Sequence, residues 1–194
     1  MSSSRSLHLK AVLDSAHLSL SGVPVEGAGV VWEFFAGSAG WTKSLAKRGC
    51  AYLTPIEILD CPHLDLLKYL SVEKCILVLR AKLVDAAHFG APCNSLSTAI
   101  TPPWRSAEYP FGFPDLVGTA AVKVRVGNAL FAVAAQLINV CDDCGVVRCG
   151  CDRRKPSHFV AMEASSYYRI VCSCPCFRSP VVLLCFWNAL EKAN

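Results

Sequence analysis

Apolar residues along this chain alternate between helical spacing and short dense runs. Leu7, Leu9, Val12, Leu13, Ala16 and Leu20 recur at near-helical spacing, and Ser21-Gly22-Val23-Pro24 ends the helix they predict. Gly29 to Phe35 is a β-branched and aromatic run that collapses into Ala36-Gly37-Ser38-Ala39-Gly40; Trp41 to Arg48 then reads as a helix closed by Gly49. A second strand is expected over Ala51 to Ile58, a helix over Asp65 to Lys74, and a further apolar run follows at Cys75 to Leu79. Leu83 to Phe89 is short enough for a buried strand and stops at Gly90-Ala91-Pro92, just before Cys93. Thr101 to Pro114 holds too much Pro for regular structure and reads as a functional loop or a linker. From Leu116 onward, Val122, Val126, Leu130, Val133, Leu137 and Cys141 fit a long amphipathic helix, whose plain reading is core packing. Pro156 to Glu163 reads as a strand ending in a carboxylate, and Val181 to Trp187 as a last apolar strand or helix.

Strand, small-residue loop and helix in repeated succession predict an α/β fold of the Rossmann-like kind, a mostly parallel sheet with flanking helices. With 194 residues, 53% hydrophobic and 18% charged, the chain has enough apolar content for one core and too much for a disordered protein. The expected organisation is a lead-in over 1–28, one domain over 29–178, and an apolar segment with a polar tail over 179–194. The longest membrane-span candidate, Leu116 to Ile138, carries Lys123, Arg125 and Asn128, so no membrane partner is expected. The Ser-rich start has no long apolar h-region, which points to an intracellular protein, nuclear or cytoplasmic. A net charge of +4 permits a nucleic-acid partner without requiring one, and protein partners are left open.

Three places carry candidate chemistry. The Gly37-x-x-Gly40 turn lets backbone N–H groups approach a ligand, yet it has neither the spacing of a dinucleotide fingerprint nor the Gly-Lys-Ser/Thr of a phosphate loop. Glu57 follows it by twenty residues, where folds of this kind accept hydrogen bonds from ribose hydroxyls. Cys93 follows a strand end, the sheet edge where ligands bind, although free cysteines are also among the most buried residues. Eight of the twelve cysteines lie at or after Cys141. Cys141-x-x-Cys144 with Cys149-x-Cys151 would offer four thiolates to zinc, but the second pair is one residue tighter than usual ribbon spacing, and the plainer reading assigns no metal.

Taken together, Glu33-Phe34-Phe35-Ala36-Gly37-Ser38-Ala39-Gly40, Pro55-Ile56-Glu57, Asp65-Leu66-Leu67 and Phe89-Gly90-Ala91-Pro92-Cys93-Asn94-Ser95-Leu96-Ser97 resemble the ordered motifs of cytosine-5 DNA methyltransferases. The similarity is greater still to the short, divergent methylase-like proteins of that superfamily, which also carry a segment like Thr101-Pro102-Pro103-Trp104-Arg105; it covers roughly residues 30 to 170. The resemblance implies a class I methyltransferase sheet, incomplete at its C-terminal end, and S-adenosylmethionine as cofactor. Phe35, Gly37 and Gly40 would line the cofactor, Glu57 would hold its ribose, and Asp65 would lie near its adenine. Cys93 would be the nucleophile that adds to carbon 6 of a flipped-out cytosine, and Glu163 the acid that holds the ring nitrogen, in DNA ahead of RNA. The chain departs from the family at Asn94 and Ala91, where the larger enzymes have Gln and a second Pro, and at Ala164-Ser165, where Asn-Pro is usual. The rival reading is a non-catalytic remnant, or a Cys-rich zinc-binding interaction module.

Overall fold

Val31, Trp32 and Phe34 are bulky side chains that fill a half-buried pleat well, and the strand they form becomes the middle of a sheet. The computed structural model describes residues 3–23, 25, 28–91, 95, 101–106 and 108–150. Cys93, and everything expected over 151–194 including Glu163, lie outside the described residues. The elements are α1 (Ser3–Ala16), β1 (Leu20–Ser21), β2 (Val30–Phe34), α2 (Gly40–Ala46), β3 (Ala51–Leu53), a 3-10 turn at Pro62–Leu64, α3 (Tyr69–Arg80), β4 (Ala86–Phe89), α4 (Gly118–Cys144) and β5 (Val147–Gly150).

Among the described residues five strands make one mixed sheet in the order β1-β3-β2-β4-β5. β3, β2, β4 and β5 are parallel, and β1 lies antiparallel on the edge beside β3. The fold is therefore α/β with helices flanking a mostly parallel sheet, as the sequence pattern predicts. After β2 the chain passes to β3 on one side, then crosses to β4 on the other, so strand order reverses between β2 and β4. Ligands of open parallel sheets bind beyond the carboxyl ends of the strands at such a reversal.

Alternate residues of a strand face opposite sides. Trp32, Phe34, Ala87 and Phe89 share one core with buried residues of α1, α3 and α4, and Phe34 stacks on Phe89 with ring centroids 4.9 Å apart. Glu33 and His88 point the other way, to the face on which α2 packs.

Several boundaries differ from expectation. The helix after β3 starts at Tyr69 rather than Asp65 and runs through the Cys75 to Leu79 segment, whose Cys75, Ile76, Val78 and Leu79 form its buried face. The β1 strand is an addition, held by pairing of Leu20 with Leu53. The second strand is regular only over Ala51–Leu53; Thr54 and Pro55 interrupt it before Ile56 bridges to Phe34. In α4 the buried stripe is Val124, Gly127, Ala134, Leu137, Val140 and Cys141, whereas Val122 and Val126 face outward. Despite Lys123, Arg125 and Asn128, α4 is long and apolar enough to cross a membrane by length and composition alone, a test that core helices also pass.

These phases make a direct prediction for α4. Leu137 is fully buried and Val122 is 49% exposed. In urea titrations Leu137→Ala should cost about 2–5 kcal/mol, and Val122→Ala should stay within about 0.5 kcal/mol.

Candidate functional site at the strand reversal

The site begins with a backbone path. Beyond Pro55 the chain still tracks β2: the Ile56 N–H donates to the Glu33 carbonyl at 2.8 Å and the Ala36 N–H to the Ile56 carbonyl at 3.0 Å. That register carries Glu57 to the small-residue loop, where its Oε2 accepts the Gly37 N–H at 2.8 Å and its Oε1 accepts the Ile58 N–H at 3.1 Å. The sequence interval of twenty residues thus becomes a direct contact.

Phe35, Gly37 and Ala39 have φ of 56°, 51° and 53°, three left-handed residues in one short loop. For Phe35 and Ala39 that conformation costs roughly 1–2 kcal/mol each. Gly37 is exposed, and a Cβ built on it would meet no atom of the described residues within 4 Å. Gly40 opens α2 and leaves the loop half-buried. Phe35 packs against the main core rather than standing free over the loop.

The end of β4 closes on the same loop. The Gly90 N–H donates to the Phe34 carbonyl at 3.0 Å, and a Cβ at Gly90 would fall 2.9 Å from the Phe35 carbonyl oxygen, so any larger residue would push the two strand ends apart. Ser95, two residues past Cys93, is buried at 5% exposure.

Beneath the loop lies a polar cluster that sequence reasoning did not assign to the site. Glu33 is 3% exposed, and its Oε2 accepts both the Thr42 N–H at 2.8 Å and the Thr42 hydroxyl at 2.7 Å, which ties β2 to α2. His88 pairs with Glu33 in register, is 6% exposed and stacks on Trp41 at 5.2 Å between ring centroids. Its Nδ1 is 3.7 Å from Glu33 Oε1, near enough for attraction and too far for a hydrogen bond, and among the described residues neither ring nitrogen has a hydrogen-bond partner. Burial pushes the His88 pKa down, against a smaller upward pull from the Glu33 carboxylate. The ring is therefore neutral at pH 7. The sequence signal available was a charged and a titratable residue inside otherwise apolar strands.

Asp65 Oδ1 accepts the Leu67 N–H at 3.0 Å in a local turn. Cys141 is fully buried in the core, and burial pushes its thiol up to about 12; Cys151 of the cysteine quartet lies outside the described residues. Among the described residues no group of three or more His, Cys, Asp or Glu is placed to hold a metal. An open hollow of about 890 Å³ lies at the N-terminal turns of α4, lined by Phe111, Phe113, Val117, Val122 and Arg125 among others, and none of Gly37, Glu57 or Gly90 reaches it. Strand-reversal geometry is the better guide to the site, because an apolar surface hollow lacks the convergent polar groups of a binding site. Compared with known proteins, the chain matches no family model, no curated protein and no solved structure.

The His88 environment sets a pH dependence. Because the folded pKa lies below the ordinary value of 6.5, the unfolded chain binds more protons in the interval between the two. Stability is then fully present above pH 6.5 and falls as pH drops toward the folded pKa. Denaturant titrations from pH 7.5 to 5 should show that loss in the wild type, and His88→Leu should flatten it; an unchanged slope would mean that other groups cause it.

Proposed function

We propose that the chain is an S-adenosylmethionine-dependent methyltransferase-like protein that transfers methyl to carbon 5 of cytosine in nucleic acid, DNA ahead of RNA, through a Cys93 adduct. The observation that carries this reading is the contact between the Glu57 carboxylate and the Gly37 N–H beside the reversal of strand order. It brings the small-residue loop and Glu57 together at the sheet edge, on an α/β sheet compatible with a Rossmann-like fold.

The residues present suit the cofactor. Each Glu57 oxygen accepts one backbone N–H and retains lone-pair capacity, so the carboxylate can also take hydrogen bonds from two neighbouring ribose hydroxyls. Gly37 admits the rest of the ligand without a side chain of its own in the way. S-adenosylmethionine supplies an electrophilic methyl group on a sulfonium. In this reading Cys93 acts as the nucleophile: its thiolate adds to carbon 6, carbon 5 becomes electron-rich and takes the methyl, and loss of the carbon 5 proton returns the thiolate as leaving group. Glu163 holds the ring nitrogen in its protonated state during attack. The loop spacing, which departs from the dinucleotide fingerprint, favours this cofactor over a nicotinamide dinucleotide.

Calorimetric titration with both cofactors tests the reading. The wild type should bind S-adenosylmethionine, and Glu57→Ala should weaken it by about tenfold or more, the equivalent of a hydrogen bond to a charged group. Binding of the dinucleotide with none of the sulfonium would overturn it. Trapping on fluorocytosine DNA with cofactor present tests the nucleophile separately: wild type should form the adduct and Cys93→Ser should not, and equal trapping by both would remove Cys93 from that role.

A further inference from the structure

The aromatic-rich loop before α4 and the first turns of that helix build a surface that the proposed cofactor site does not use. Phe111 and Val117 are 59% and 80% exposed, and with half-buried Phe113 and outward-facing Val122 they line the open hollow of about 890 Å³. Tyr109 tilts onto Phe113 with ring centroids 5.6 Å apart. Clustered exposed apolar side chains rimmed by polar groups mark interaction surfaces.

The loop is held firmly against the helix. Arg105 pins it: Nη1 donates to the Pro110 carbonyl at 2.6 Å and to Asn128 Oδ1 at 2.8 Å, and Nη2 donates to the Val124 carbonyl at 3.3 Å. Asn128 in turn donates to the Phe111 carbonyl at 2.9 Å, and the Phe113 N–H bonds the Trp104 carbonyl at 3.0 Å. Gly112, with φ of 109°, lies so close to α4 that a Cβ there would fall 2.5 Å from Val124 Cγ1. Phe111 and Phe113 flank this fixed backbone, so a ligand has little ordering left to induce.

Charge says what would cover the surface. Arg125 lines the hollow, and Lys123 stands over the Trp104 ring with Nζ 5.8 Å from the centroid. Both are exposed, and neither has a carboxylate partner among the described residues. The α4 sequence holds no acidic residue before Asp142, and Glu108 and Asp115 of the loop do not line the hollow. A purely apolar partner would have no use for the two cations, and a simple anion none for the rings. Unpaired bases joined by phosphates suit both, because bases stack on aromatic faces while Lys and Arg take the backbone. A base still inside a duplex offers no free face.

We propose that this surface binds single-stranded nucleic acid, with bases on Phe111 and Phe113 and phosphates on Lys123 and Arg125. Rings and cations suffice for that, so the hollow needs none of the convergent polar groups that a small molecule requires. The link to methyl transfer rests on the reading above, in which an unpaired strand removes the cost of extruding the cytosine. Strand binding itself does not depend on that reading.

Fluorescence anisotropy of a labelled single-stranded DNA oligonucleotide, with the full-length chain and no cofactor, tests it. The wild type should bind the strand about tenfold or more tighter than the same sequence as duplex. An RNA strand of that sequence should bind comparably, because neither an aromatic face nor a lysine ammonium reads the 2′-hydroxyl. Phe111→Ala should weaken binding by about tenfold, the loss of one stacked base, with an unchanged salt dependence. Lys123→Gln and Arg125→Gln should each make the slope of log affinity against log salt shallower by about 0.7, the loss of one phosphate contact. All three side chains are exposed, so the variants should fold as the wild type does. Leu59→Ala, at a position 87% exposed and outside the hollow, should change neither affinity nor slope. Equal affinity for strand and duplex, or wild-type binding by Phe111→Ala, would overturn the proposal. So would binding to vesicles of phosphatidylserine and phosphatidylcholine with the strand left unbound, since the surface would then be a membrane contact. A chain that binds the strand through these residues but takes no S-adenosylmethionine would instead overturn the methyl-transfer reading and leave this surface standing.

Discussion

The closing of two strand ends on one loop is the constraint on which the candidate site depends. The Gly90 N–H bonds the Phe34 carbonyl, and the Phe35 carbonyl occupies the space that a side chain at Gly90 would need. Parallel pairing of β2 with β4 brings these ends level, and among the described residues no crossover covers the space beyond them where strand order reverses. Glu57 then arrives from the other neighbour of β2 and fixes Gly37. Three segments remote in sequence meet at a single sheet edge for backbone reasons, before any side chain is asked to do chemistry.

The two faces of the sheet divide the work. The face covered by α1, α3 and α4 is apolar: Trp32, Phe34, Leu53, Ala87 and Phe89 pack with Leu79 and Leu137, and hydrophobic burial there supplies the main stabilisation. On the α2 face a carboxylate and an imidazole are buried next to each other, with Thr42 satisfying one oxygen of Glu33 and no group among the described residues satisfying His88. Unsatisfied buried polar groups are destabilising, typically by about 1–3 kcal/mol. The strained loop and the orphaned imidazole therefore fall in one neighbourhood, around the ends of β2 and β4, and the apolar face must offset both.

What could be read from the sequence was what local chemistry determines. The β2 strand, the small-residue loop and α2 were legible because Val30 to Phe34 and the glycines after them have few alternatives, whereas the contact of Glu57 with the Gly37 N–H is a tertiary fact that the interval alone does not state. The start of α3 was not, because Asp65 looks like a helix start but instead caps a turn through Leu67, with Tyr69 beginning the helix. The β1 strand has only two residues and exists through its pairing with β3, which no local pattern encodes. The face of α4 was misjudged in its first turns because valines at helical spacing outweighed Gly127, whose burial follows from the approach of Ser95. Arg105 and His88 depend wholly on tertiary neighbours, so residue type alone could mark them as unusual without saying what they touch.

The central claim is that a cofactor binds where Glu57, Gly37 and Gly90 converge. Backbone amide shifts in a nitrogen-15 labelled chain, followed as S-adenosylmethionine is added, test it most directly. The account predicts saturable shifts at Gly37, Ile58 and Gly90, the amides bonded to Glu57 and to the Phe34 carbonyl, with little change in the first turns of α4. Shifts confined to the hollow between Phe111 and Arg125, or none at saturating ligand, would contradict it.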